Sequence, residues 1–169
     1  MDSLAGRVHE LLLKRGETIA VAESCTGGRI CSELSSMPGA SKSFCGGIIA
    51  YQRRVKESVL AVSPDIIKNF GIVSVETALG MAMGAARVMG AHWGLATTGI
   101  CGPGKGGADA PLGCVCMAVA YQEKSFANSQ IIKVWSERHE FDYISRLQVQ
   151  LEATQYILSA IEGFLRKGF

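Results

Sequence analysis

Charge is scarce in this chain: 19% of its 169 residues are charged, and the formal net charge is +2. A dedicated nucleic-acid binder carries a basic stripe and a pI well above the 8.2 found here, so that class is excluded. Long apolar runs are also lacking. None reaches the ~18 residues of a membrane-spanning helix, and Met1-Asp2-Ser3-Leu4-Ala5-Gly6-Arg7 leads into an amphipathic pattern rather than a targeting segment. The expectation is a cytoplasmic protein that engages neither nucleic acid nor membrane. Cys25, Cys31, Cys45, Cys101, Cys114 and Cys116 include no CxxC pair and no histidine at zinc spacing, so reduced packing thiols and no metal site are expected. Linkers, repeats and low-complexity tracts are missing as well, and the length fits one domain over residues 1–169.

Apolar residues are plentiful at 48%, which excludes disorder. Glycine is in excess, with 20 residues against a usual share of ~7%. Leu4, Val8, Leu11 and Leu12 recur at helical spacing, and Gly16 stands where a helix ends. Thr18–Ala22 reads as a buried strand, followed by a helix reaching Met37 before Pro38-Gly39. Phe44–Tyr51 reads as a strand apolar on both faces, and a short helix follows from Gln52-Arg53-Arg54-Val55-Lys56. Ser63-Pro64 opens another short helix, and Ser74 caps a longer one whose Ala78, Ala82, Ala85 and Ala86 suit close packing. Trp93–Thr98, Leu112–Tyr121 and Ser129–Glu137 read as three more strands, and a last helix begins near Tyr143. This order predicts an α/β fold, a three-layer α/β/α sandwich on a mixed, mostly parallel five-stranded sheet with one antiparallel strand. Sites in such sheets lie at the carboxyl ends of strands, here the loops after Ala22, Tyr51 and Thr98.

The first loop, Glu23-Ser24-Cys25-Thr26-Gly27-Gly28, places a hydroxyl on a strand-to-helix turn. A nucleophile and its oxyanion hole need that arrangement, although a plain helix cap uses the same residues. The second loop offers Tyr51 and, five residues on, Lys56. The histidines His9, His92 and His139 fall outside the site loops, so a lysine with a lowered pKa is the available base, with Arg53 and Arg54 as neighbouring cations. Read alone, Tyr51 fits the core and Gln52–Lys56 a solvated face.

The third loop fits GxxxxGK at Gly99–Lys105 and GxGxxG at Gly102–Gly107. Both nucleotide-loop readings fail on context, because Gly106 replaces the magnesium-binding Ser or Thr and a strand rather than a helix follows Pro111. What survives is a glycine-lined cradle fit for a phosphate.

Taken together, Ala22–Gly28, Tyr51 with Lys56, Gly71-Ile72-Val73-Ser74, and Thr98–Pro103 closing on Pro111-Leu112-Gly113 resemble the C-terminal domain of the competence/damage-inducible protein CinA family. The resemblance implies a homo-oligomeric nicotinamide-nucleotide amidase, a metal-independent enzyme of pyridine nucleotide salvage that hydrolyses nicotinamide mononucleotide without a cofactor. It implies Ser24 as nucleophile with Lys56 and Tyr51 as its catalytic partners; with them, Glu23, Cys25, Thr26, Gly27 and Gly28 are expected around the oxyanion and substrate, and Thr98, Gly99, Gly102, Gly106 and Gly107 at the phosphate. The chain departs from the family at Gln52-Arg53, where Ser-Asn is usual, and at Gly106–Pro111, which lacks a hydroxyl and a lysine that Lys105 would have to replace. Arg53, Ala108 and Ala110 thus keep a second reading open, a nucleotide-binding or regulatory paralogue with little catalysis.

Overall fold

The computed structural model describes residues 3–104, 110–124, 129–142 and 145–167. The elements run α1 (Leu4–Arg15), β1 (Ile19–Glu23), α2 (Arg29–Ser35), a single 3₁₀ turn (Ala40–Lys42), β2 (Phe44–Ile49), α3 (Arg53–Ser58), α4 (Pro64–Phe70), α5 (Val75–Met89), β3 (Trp93–Gly99), β4 (Cys114–Lys124), β5 (Ser129–Glu140) and α6 (Arg146–Lys167). The sheet order is β2-β1-β3-β4-β5. The first three strands are parallel, and β4 runs antiparallel to both of its neighbours. This is the mixed five-stranded architecture expected, with β4 as its one antiparallel strand.

The helix ends follow local chemistry. The Ser3 and Ser74 hydroxyls accept from the amides of Gly6 and Thr77, and Gly16 and Gly90 close α1 and α5 in the left-handed region. Several features differ from the sequence reading, and β4 and β5 run on to Lys124 and Glu140. Helix α2 is only seven residues long because Ser24–Gly28 forms an extended turn rather than a first helical turn. Strand β2 alternates between half-buried and exposed residues, since it is an edge strand with one neighbour; Cys45 is exposed on it rather than packed. Helix α6 begins at Arg146, and Tyr143 lies outside the described residues.

The two faces of the sheet carry different residues. Ile19, Val21, Trp93, Leu95, Val115, Met117 and Val119 pack large side chains against α1, α2 and α6. The alternate positions Ala20, Ala22, Ala96, Ala118 and Ala120 meet Ala78, Ala82 and Ala85 of α5. Period-two alternation therefore sorts large residues to one layer and small ones to the other, drawing α5 close to the sheet. At Gly94 an added Cβ would stand 2.0 Å from the Ala82 carbonyl oxygen. Gly94→Ala is therefore expected to destabilise by about 2–3 kcal/mol in urea unfolding. Gly163, in α6 with open space around it, is expected to gain up to about 1 kcal/mol as alanine.

Candidate active site

The carboxyl ends of β1, β2 and β3 lie at one edge of the sheet, and β1 sits between β2 and β3, so the chain leaves it in opposite directions. A crevice opens at such a point. It forms a cavity of about 200 Å³ whose lining includes Ser24, Cys25, Tyr51, Lys56, Thr98 and Arg146.

Ser24 follows β1 directly, its amide donating to the Thr97 carbonyl of β3 at 3.0 Å. The residue is 8% exposed. Lys56 reaches it from the short helix α3, where Arg53 pairs with Glu57 at 2.6 Å on the exposed face and Lys56 turns inward. Lys56 Nζ donates to Ser24 Oγ at 3.0 Å and to the Ala50 carbonyl at 2.5 Å. Ala50 in turn donates its amide to the Glu23 carbonyl at 2.7 Å, tying the ends of β1 and β2 together. Lys56 is thus a buried cation, 1% exposed, with no carboxylate partner among the described residues. Burial pushes its ammonium down from 10.5 to about 8. The neighbouring Arg53 and Arg54 are not the cause, because Arg53 points to solvent and pairs with Glu57.

That depression has a measurable consequence. Between about pH 8 and pH 10.5 the unfolded chain still holds the lysine proton that the folded protein has released. Wild-type stability is therefore expected to rise with pH across this window relative to a Lys56→Met variant, by up to about 1.4 kcal/mol per pH unit. Denaturant midpoints at three pH values check it. Below pH 8 both states carry the proton and the difference is constant.

Tyr51 stands at the mouth of the cavity and is 55% exposed, so it is not a core residue. Its hydroxyl accepts from Arg146 Nη2 at 2.6 Å, and Arg146 Nη1 donates to the Gly102 carbonyl at 2.8 Å. Arg146 was missed in the sequence reading. The available signal was a cation in the first turn of α6, where the helix dipole disfavours positive charge.

The turn after Ser24 divides into two parts. Glu23 is fully buried and faces α2, not the cavity: its carboxylate accepts from the amides of Gly28 (2.9 Å), Ile30 (3.2 Å) and Cys31 (2.8 Å). Gly27 donates its amide to the Ser24 carbonyl at 3.2 Å. Gly27 and Gly28 have φ of +63° and +100°, a geometry that only glycine adopts without strain. Thr26 is buried against Thr97, hydroxyl to hydroxyl at 2.7 Å. Thr26, Gly27 and Gly28 line a separate depression beside Arg29 and Gln150. The amides of Gly27 and Gly28 are therefore already taken, which corrects the expectation that the whole turn faces the oxyanion. Among the described residues, the amides of Cys25 and Thr26 have no protein acceptor.

In the third loop, Thr98 donates its hydroxyl to the Ile72 carbonyl at 2.9 Å, and so fixes the cavity wall instead of presenting a free donor. Gly99 is glycine because a Cβ would meet the Cys114 carbonyl at 2.5 Å. Gly102 and Gly104 line the cavity, and their amides have no protein acceptor among the described residues. Ala110 is buried against Ile100 and Cys114. Lys105, Gly106, Gly107 and Ala108 lie outside the described residues. The three histidines are elsewhere: His9 bonds Ser43, His92 accepts from the Thr18 amide, and His139 stacks on Phe141 and Tyr156. No group of three or more His, Cys, Asp or Glu suited to a metal occurs among the described residues, and no helix there is long and apolar enough to cross a membrane.

The molecule is thus a three-layer α/β/α domain with a buried serine–lysine pair where its parallel strands end. The CinA C-terminal domain model matches residues 1–165, and the chain belongs to that family. A CinA-like protein of Synechocystis sp. is 49% identical over 119 residues, covering 70% of this chain and 29% of the relative. One from Synechococcus sp. is 42% identical over 148 residues, covering 88% and 35%. The chain therefore spans about a third of the length of these curated relatives. Among solved structures, the competence/damage-inducible protein CihA from Agrobacterium tumefaciens superposes with a TM-score of 0.84 at 32% identity, covering 97% of this chain and 94% of its own. A CinA superfamily protein from Enterobacter cloacae gives 0.87 at 26%, covering 96% and 90%.

Proposed function

We propose that this chain is a nicotinamide-nucleotide amidase of the cytoplasm, hydrolysing the carboxamide of nicotinamide mononucleotide to nicotinate mononucleotide and ammonia in pyridine nucleotide salvage. The observation that carries the reading is the contact at 3.0 Å between Ser24 Oγ and a buried Lys56 that has no carboxylate partner among the described residues. A serine hydroxyl is a weak nucleophile near neutrality and needs a base within hydrogen-bond reach. In its neutral form Lys56 keeps an N–H on the Ala50 carbonyl and turns its lone pair to the Ser24 hydroxyl. Lys56 takes the proton as Oγ attacks the carboxamide carbon, and the oxyanion rests on the unpaired amide of Cys25, the turn residue that lines the cavity beside Ser24. Collapse of the tetrahedral intermediate breaks the C–N bond, and the Lys56 ammonium returns its proton to the departing ammonia. Water, deprotonated by Lys56 in turn, releases nicotinate mononucleotide from Ser24. No step requires a metal or a cofactor.

The nucleotide phosphate is assigned to the stretch of the cavity lining that holds Arg146, Gly102 and Gly104, a cation and two glycines whose amides have no protein acceptor among the described residues. Tyr51, held by Arg146, closes the mouth over the substrate. Incubation with nicotinamide mononucleotide in the presence of a chelator, with ammonia and nicotinate mononucleotide both measured, tests the assignment. Release of neither product would overturn it. Arg146→Met is expected to raise KM for nicotinamide mononucleotide by about 10–100-fold, and to change little for nicotinamide riboside, which lacks the phosphate. Equal losses on both substrates would place Arg146 at Tyr51 rather than at phosphate. Sedimentation of the intact chain tests the further expectation of a homo-oligomer.

A further inference from the structure

The cavity holds a pair of thiols that the amidase chemistry does not use. Cys25 follows the nucleophile and Cys101 lies in the loop after β3; both are buried, and both line the cavity. Cys101 Sγ donates to the Cys25 carbonyl oxygen at 3.7 Å, so the sulfur of one lies against the backbone of the other. Cys31 and the neighbours Cys114 and Cys116 do not line this cavity, and Cys45 is exposed on edge strand β2.

We propose that Cys25 and Cys101 form an oxidative modification site, in which peroxide converts these two cavity-lining thiols to a disulfide that displaces the Ser24 turn and shuts the cavity. The two sulfurs differ in character. The hydrogen bond from Cys25 favours the Cys101 thiolate, burial opposes it, and the Arg146 charge favours it again, for a net downward shift. The same contact, with burial, holds Cys25 as a thiol. Cys101 is therefore the sulfur that attacks the peroxide O–O bond. One oxygen stays on sulfur as sulfenic acid and the other leaves as hydroxide, which takes a proton to become water. The Cys25 sulfur then attacks Cys101 sulfur, the S–O bond breaks, and the hydroxyl leaves as water with the Cys25 proton. Two thiols are oxidised, and one peroxide is reduced to two waters.

The bond matters because of what Cys25 is attached to. Its carbonyl accepts from Gln150 Nε2 at 2.7 Å, its amide is one of the two unpaired donors beside Ser24, and Ser24 precedes it. With Cys101 Sγ resting on the Cys25 carbonyl, joining the two sulfurs at the ~2.05 Å of a disulfide pulls that turn toward the third loop. A displacement near 1 Å at reacting groups costs about 10²-fold in rate.

The inference rests on Ser24 as the nucleophile, and the test separates the two claims. Protein carrying Cys45→Ser, to remove the exposed thiol, is treated with hydrogen peroxide and digested without reduction. A peptide joining Cys25 to Cys101 is expected, with labelling of Ser24 by a fluorophosphonate probe and ammonia release both falling about 100-fold and recovering with dithiothreitol. Cys101→Ala in the same background, compared with its own untreated rate, is expected to lose nothing on oxidation. Absence of the joined peptide, a joined peptide with unchanged labelling, or equal inactivation of Cys101→Ala would each overturn the proposal. Untreated protein that takes the probe but releases no ammonia would sink the amidase reading alone, leaving oxidation to be judged by labelling. Untreated protein that takes no probe would remove Ser24 as nucleophile, and the joined peptide would then decide the modification site by itself.

Discussion

Ser24→Ala is expected to reduce ammonia release from nicotinamide mononucleotide by at least ~10³-fold, with the far-UV circular dichroism unchanged. Both halves of that result follow from where the side chain sits. The attacking atom is the Ser24 oxygen, so its loss removes the covalent route and leaves only binding and oxyanion contacts. Structurally the hydroxyl holds Lys56 Nζ but no part of the turn. The turn is held by the Ser24 amide on Thr97, by the Glu23 carboxylate on three α2 amides, and by Gln150 on the Cys25 carbonyl. None of these involves Ser24 Oγ, so the variant keeps the architecture and loses the reaction. Retained turnover would mean that the attacking group lies elsewhere and that the contact with Lys56 is a packing bond.

The second large effect is expected at Lys56. Lys56→Met keeps a long flexible side chain of comparable reach in a buried slot, but no proton acceptor for Ser24. A loss of about 10²–10⁴-fold in kcat is expected, the range of a general base. The pH profile supplies a readout that a structural role would not move. A base held at about 8 must be neutral to act, so kcat/KM in the wild type should rise tenfold per pH unit below about 8 and level off above it. The residual rate of Lys56→Met should lack that limb. A wild-type profile flat between pH 6 and 9 would remove Lys56 as the base even if the variant were inactive.

Much of this fold was legible in local pattern. Residues of period 3.6 with serine caps and closing glycines located α1 and α5, and short β-branched or alanine runs located β1 and β3. The errors at β2 and α2 share a cause. Gly-rich Phe44–Ile49 carries no polar alternation to mark an edge strand, and the Ser24 turn uses residues that also suit a helical first turn. At the site, Ser24 and Lys56 could be named from residue type and position relative to strand ends. Arg146 could not, because its partners Tyr51 and Gly102 stand far away along the chain.

The sequence by itself determined the alternation of strands and helices, the segregation of large and small apolar residues to opposite faces, and the placing of a serine and a lysine in loops that end parallel strands. Each is a local property, written in the spacing of neighbouring residues and in the backbone freedom of single glycines. Only the tertiary structure decided that Lys56 is buried and so held near neutrality, that Glu23 occupies the amides of Gly28, Ile30 and Cys31 and leaves those of Cys25 and Thr26 open, and that Arg146 and Cys101 complete the cavity. Desolvation, hydrogen-bond partnership and electrostatic neighbourhood depend on which distant elements pack together, and periodicity shows which face of an element is apolar without showing what will cover it.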